Sequence, residues 1–208
     1  LELENAETAM SEAAPQRMSA NFFERIERGN NLTKIGANSR PRDTAMLISA
    51  QARACVDCPT LQIVGAPAAN QALKSIAIAR TFLTESDSTD IAVQPTFTHL
   101  DDGHTAILLS IRKKERRTTG VADAQQLKSA ATTDAKVLAG AISSFAREGR
   151  RMVVTSIGAG AIYVGIKAIA IARKNVEAEA IDLLCKPEFA ELEDGTTALR
   201  MLLLVEQT

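Results

Sequence analysis

The chain repeats itself. Residues 63–80 read IVGAPAANQALKSIAIAR and residues 156–173 read SIGAGAIYVGIKAIAIAR. Setting Gly65 against Gly158 also sets Lys74 against Lys167, Ile76 against Ile169 and Arg80 against Arg173, and the block IAIAR recurs intact. A second match follows. DIAVQPTFTHLDDGHTA from Asp90 meets DLLCKPEFAELEDGTTA from Asp182, bringing Pro95 onto Pro187, Phe97 onto Phe189 and Asp102-Gly103 onto Asp194-Gly195. The offset changes by one residue between the blocks, so one position was gained or lost there. Two long matches in one order mark a duplicated unit. The 208 residues therefore divide into an extension (1–31), a first copy (32–112), a linker (113–124) and a second copy (125–208).

Within each copy the local patterns agree. LQIV (61–64) and VVTSI (153–157) are β-rich runs ending at Gly and read as strands. The segments that follow, 68–82 and 161–174, are built of Ala, Ile, Leu and Lys, and their composition and upstream Gly favour helix over the strand that IAIA alternation can mimic. Asp90–Gln94 and Ile181–Cys185 read as strands, each leading to Pro-x-Phe, an acidic Asp-Gly turn and a last strand at Ala106–Ile111 or Ala198–Val205. Asp-Gly between apolar runs signals a hairpin because Gly tolerates positive φ. Upstream, 42–54 and 134–148 have helical apolar spacing, each preceded by a short strand near Leu32–Ile35 or Leu127–Ala130. Each copy reads β-α-β-α-β-β, an α+β layer of sheet and helices. The repeated helix is apolar on more than one face, and such a helix is buried on more than one side. Leu73, Ile76, Ile166 and Ile169 are therefore expected at an interface between the copies, which pack as an intramolecular pseudo-dimer.

These same blocks, the Gly-Ala-x-Ala…Lys-x-Ile-Ala-Ile-Ala-Arg run, the Pro-x-Phe and the acidic Gly hairpin, resemble the stage V sporulation protein S family. That resemblance covers both copies and leaves out residues 1–31 and the linker. It implies two tandem Alba-like domains, a fold used for nucleic-acid binding, with the fused tandem equivalent to a dimer made in one chain. The copies depart from the family pattern differently. The first keeps Asn70-Gln71 but has Pro67 in the glycine loop; the second keeps Gly158-Ala159-Gly160 but has Tyr163-Val164 in place of Asn-Gln. Alba-like domains are similar in placing basic residues before the first helix, which here implies Lys34, Arg40 and Arg42 in one copy and Lys128 and Lys136 in the other, with Asn70 and Gln71 at the ligand.

Charge qualifies that expectation. There are 24 Lys and Arg against 25 Asp and Glu, a net charge of -1, which excludes a uniformly basic polyanion coat but not a local patch. The densest cluster is Arg112, Lys113, Lys114, Arg116 and Arg117; Arg147, Arg150 and Arg151 form another. Clusters of this kind bind a phosphate backbone whatever the total charge, or serve as solvated linker and helix end. Lys74 and Lys167 stand at one place in both copies, as phosphate contacts or as lysines whose stems lie along apolar surface. Arg80 and Arg173 fit the negative end of the helix dipole. Aromatic residues are scarce, so a base-stacking platform has little support.

Other motifs carry less. Gly158-Ala159-Gly160 lacks the third glycine of a dinucleotide fingerprint, since Tyr163 stands there, and no Walker lysine follows. Cys55-Val56-Asp57-Cys58 precedes Pro59 rather than opening a helix, and the second copy has no counterpart to it or to His99 and His104, so a metal or redox role is not expected. Asp101-Asp102 and Glu193-Asp194 fit turn chemistry better than acid/base work. No catalytic constellation, cofactor or metal site is expected. In the extension, Phe22, Phe23 and Ile26 share one side of a short helix, for packing on the chain itself or docking a partner.

The apolar runs are too short to span a bilayer and no secretory signal opens the chain. An intracellular protein is expected, in the cytoplasm or the mitochondrial matrix. The leading function is a non-enzymatic nucleic-acid-binding protein, RNA favoured over DNA, working as a subunit of a larger assembly with other proteins. The competing function is a protein–protein scaffold or regulator without nucleic acid. A small-anion site at the glycine loop ranks third.

Overall fold

The computed structural model of the chain describes residues 31–54, 57–86, 89–116 and 123–207. The expectations for Phe22, Phe23, Ile26, Cys55 and Arg117 fall outside the described residues.

The first copy contains β1 (Leu32–Ile35), α1 (Pro41–Arg53), β2 (Thr60–Ile63), α2 (Gly65–Ser86), β3 (Thr89–His99) and β4 (Thr105–Glu115). The second contains β5 (Gln125–Ser129), α3 (Ala135–Arg147), β6 (Met152–Ser156), α4 (Ala159–Val176), β7 (Ile181–Glu191) and β8 (Thr197–Gln207), with a short 3-10 turn at Glu177–Glu179 between α4 and β7. Both copies are β-α-β-α-β-β, and the fold is α+β.

Local chemistry starts and stops these elements. Pro41 opens α1, where its fixed φ suits the first turn and its missing N–H is not needed. Asp134 caps α3, its carboxylate accepting from the Lys136 and Val137 N–H groups at 2.7 and 3.4 Å. Gly65 (φ 78°) and Gly158 (φ 83°) turn the chain from strand into α2 and α4 in a conformation that disfavours any side chain. At the hairpins, Asp102 accepts from the His104 N–H at 3.0 Å and Asp194 from the Thr196 N–H at 2.9 Å.

All strands join one eight-stranded sheet in the order β1-β2-β4-β3-β7-β8-β6-β5. Each outer strand runs parallel to its neighbour (β1 with β2, β5 with β6), and the remaining pairs are antiparallel. The copies meet where β3 pairs with β7, and the registered partners there are Val93 and Cys185. These two residues occupy equivalent positions in the repeat. A residue that pairs with its own equivalent lies on a two-fold axis, so the copies are related as the subunits of an isologous dimer.

The helices complete the joint. α2 packs on α4 and on β7 of the other copy, and α4 packs on β3. Leu73, Ile76, Ile166 and Ile169 are each 0% exposed within one continuous core that includes residues of both copies. Burying a large aliphatic side chain contributes about 1.5–3 kcal/mol, so these four are a substantial part of what holds the helix layer.

Several elements run further than the sequence pattern suggests. α2 is 22 residues long rather than ending at 82. β3 continues through Pro95 and Phe97 to His99, because Pro95 is paired opposite Leu109 and the ladder tolerates its missing N–H at the thinly paired joint with β7. β4 likewise extends to Glu115, so Arg112, Lys113 and Lys114 are strand residues and not part of a solvated linker.

Candidate nucleic-acid interface

The expected cations are scattered by the fold before any of them is gathered. Lys34 and Lys128 hold equivalent exposed positions on β1 and β5, at opposite edges of the sheet. Arg40 is exposed just ahead of α1, Arg42 places its guanidinium 5.9 Å above the Phe82 ring, and Lys136 is exposed in the first turn of α3. The dense 112–117 cluster is largely engaged. Arg112 donates to the Gln94 Oε1 at 3.2 and 3.0 Å, Lys114 pairs with Glu206 at 2.6 Å, and Arg116 donates to the Thr84 carbonyl at 2.9 Å.

What the topology does gather is the end of β4 and the turn between α3 and β6. Lys113 and Lys114 from the first copy face Arg150 and Arg151 from the second across a cleft of about 520 Å³, with Lys186 at its base. Glu115 and Glu206 are the carboxylates in the lining. Lys114 is paired with Glu206 and Lys186 is buried, so Lys113, Arg150 and Arg151 are the cations of this lining whose side chains are exposed to solvent. Arg150 is held over Phe145 at 4.7 Å and donates to Gln125 at 2.8 Å, yet its side chain stays 48% exposed; Arg151 pairs with Asp123 at 3.6 Å and is 47% exposed. Arg150 also pairs with Glu148 at 3.4 Å, so both arginines have an acidic neighbour while staying about half in water.

Beneath the cleft the copies are joined by ions. Arg80 pairs with Asp90 at 2.9 Å and donates to the Pro187 carbonyl of the other copy at 2.8 Å; Lys186 reaches back to Asp90 at 2.7 Å. The second set mirrors the first. Arg173 pairs with Asp182 at 2.6 Å and donates to the Thr96 hydroxyl at 2.8 Å and the Pro95 carbonyl, while Gln94 donates to Asp182. Arg80 does not serve the helix dipole as expected, because α2 continues beyond it to Ser86, whereas Arg173 does lie in the last turn of α4; both guanidiniums also bridge the copies. Burial pushes the Asp90 carboxyl up, but the Arg80 and Lys186 hydrogen bonds and charges outweigh it and hold the group below the usual carboxylate range. Asp182 is lowered in the same sense by Arg173 against its own burial. Sequence reasoning missed these acids; the signal was the recurrence of Asp at the head of the second matching block.

A second surface lies at the other end of α2. Asn70 and Lys74 face Gly158, Ala159 and Ile162 at the start of α4, and Phe189 of β7, across a groove of about 330 Å³. The half of the family pattern kept by the first copy thus meets the half kept by the second. Gln71 points elsewhere, donating to the Ala37 carbonyl at 3.0 Å. Lys167, the equivalent of Lys74, lies 5.3 Å from the Tyr163 ring centroid. Phe189 is 44% exposed at this groove, whereas its equivalent Phe97 is partly buried against the core.

The two thiols among the described residues are both shifted away from the thiolate. Cys185 is fully buried, which pushes its pKa up to about 12, and burial also raises Cys58. Among the described residues no group of three His, Cys, Asp or Glu is arranged to hold a metal ion, and no helix is long and apolar enough to cross a membrane.

The model of the Stage V sporulation protein S (SpoVS) family matches the chain twice, over residues 31–114 and 125–206. Those two matches cover most of the chain and coincide with the two β-α-β-α-β-β units of the sheet, an arrangement consistent with two tandem Alba-like domains. The chain therefore belongs to the stage V sporulation protein S family, as a tandem duplication of its domain.

Proposed function

We propose that the protein is a non-enzymatic nucleic-acid-binding subunit of a larger assembly, and that the cleft between Lys113–Lys114 and Arg150–Arg151 receives the sugar–phosphate backbone. The observation that carries this is the convergence on one cleft of basic clusters belonging to different copies. The Alba-like fold of the family is compatible with it. RNA is preferred to DNA, because single-stranded segments are the usual targets on RNA and their flexible backbone can follow a cleft built from two separate parts of the chain.

Filter binding of single-stranded RNA, single-stranded DNA and duplex DNA at low and moderate salt tests this. Binding of the RNA, weakened by salt and by replacing Lys113, Arg150 and Arg151 with Gln, is expected. Absence of binding to all three at low salt would leave the scaffold function in its place.

A further inference from the structure

We infer that the groove between α2 and the start of α4 is a separate binding site for a nucleoside monophosphate group, present once per chain. It shares no lining residue with the basic cleft, and its existence does not depend on polynucleotide binding there.

The lining supplies three kinds of contact. Among the described residues, Lys74 makes no ion pair and Asn70 no side-chain hydrogen bond, so an ammonium and an amide in the groove wall are unspent. Together they suit an oxyanion with several acceptor oxygens. Phe189 presents a ring 44% exposed at the same groove, and Ile162 and Leu199 add apolar surface, which suits a planar ring attached to that anion. The volume of about 330 Å³ lies at the low end for small-molecule sites and admits one nucleotide unit. A phosphoryl group carrying an aromatic base meets all three conditions; inorganic phosphate leaves the ring and the apolar wall unused.

The two-fold axis generates a counterpart around Tyr163 and Lys167, and there the chemistry is consumed internally. Tyr163 stands where Asn70 does, and its ring lies under the Lys167 ammonium at 5.3 Å. Phe97, the equivalent of Phe189, is packed against the core. Pro67 replaces the glycine that the second copy keeps as Gly160. Duplication has thus left one open site whose two walls come from different copies.

Isothermal titration of the full chain with adenosine 5′-monophosphate, inorganic phosphate and adenosine tests this. The monophosphate is expected to bind with a stoichiometry of one and more tightly than either fragment. Lys74→Met should weaken it by at least about tenfold, the loss typical of a hydrogen bond to a charged group, while Lys167→Met changes it less than about twofold. Should Lys74→Met fold poorly, amine acetylation of the wild type replaces it: the monophosphate should protect Lys74 and not Lys167. The Lys113, Arg150 and Arg151 replacements should leave monophosphate binding unchanged, which separates this site from the cleft. A short RNA with a 5′-phosphate, compared with its 5′-hydroxyl form as competitor, assigns the source: selective competition marks a strand end, and equal failure of both marks a free nucleotide. No binding at millimolar monophosphate, a stoichiometry of two, equal effects of the two lysine variants, or acetylation protection of neither lysine would overturn the inference.

Discussion

Asp90, with its side chain 7% exposed, lies between Arg80 of its own copy and Lys186 of the other, whose side chain is 3% exposed. Removing the carboxylate would strand two cations out of water. Breaking a buried pair in this way costs about 3–5 kcal/mol, well above the median for surface pairs. Asp90→Asn is therefore expected to lower the chemical-denaturation stability by that amount, and Asp182→Asn by less, because Arg173 and Asp182 keep 18% and 16% exposure. The pH dependence follows from the same geometry. Both acids are held below their unfolded pKa of about 3.9. The stability they contribute is present above that value and is lost as pH falls through the folded pKa. Acid titration of the wild type should show a loss of stability beginning below about pH 4, and in Asp90→Asn that loss should be shallower.

The helices show which parts of the structure could be read from the sequence. Element types and order were legible because periodicity, the hairpin Asp-Gly pairs and the repeat itself report local chemistry twice over. The end of β3 was not, because Pro95 and Phe97 look like a break until β4 is paired alongside. The roles of Arg80 and Arg173 were not legible for a related reason: their partners lie across the axis, and no local pattern names a residue of the other copy. The basic clusters were visible, but their convergence required the order of the strands. Two glycines in helices make the same distinction testable. A Cβ on Gly165 of α4 would stand 2.5 Å from the Met201 methyl and 3.1 and 3.2 Å from the Ser129 and Ser156 hydroxyls, while a Cβ on Gly140 of α3 meets nothing within 4 Å. Alanine gains up to about 1 kcal/mol in helix propensity at either position. Gly140→Ala should raise stability by about 0.5–1 kcal/mol; Gly165→Ala should lower it by about 1 kcal/mol, since overpacking costs about 1–3 kcal/mol. Thermal melts of the two variants compare them directly.

For the whole molecule, fusion has consequences that a dimer of identical copies could not have. Lys114 and Glu206 occupy equivalent positions and pair with each other at 2.6 Å across the intervening β3 and β7. In a dimer of identical chains that position would face itself with like charge. Glu206→Lys is thus expected to lower stability by up to about 1 kcal/mol, and adding Lys114→Glu should restore it, the pair being 29% and 39% exposed and so modest in strength. The same departure from symmetry puts Lys186 opposite Asp90 where the other half uses Gln94 opposite Asp182. It also lets one copy contribute Lys113 and Lys114, and the other Arg150 and Arg151, to a single cleft.

That cleft is the centre of the proposed function, and the salt dependence of RNA binding examines it most directly. Each phosphate neutralised on a single strand contributes about −0.7 to the slope of log affinity against log salt. Wild-type protein should bind single-stranded RNA with a slope that becomes shallower by about two when Lys113, Arg150 and Arg151 are all replaced by Gln. A slope that does not change in the folded triple variant, or no RNA binding by the wild type at low salt, would contradict it.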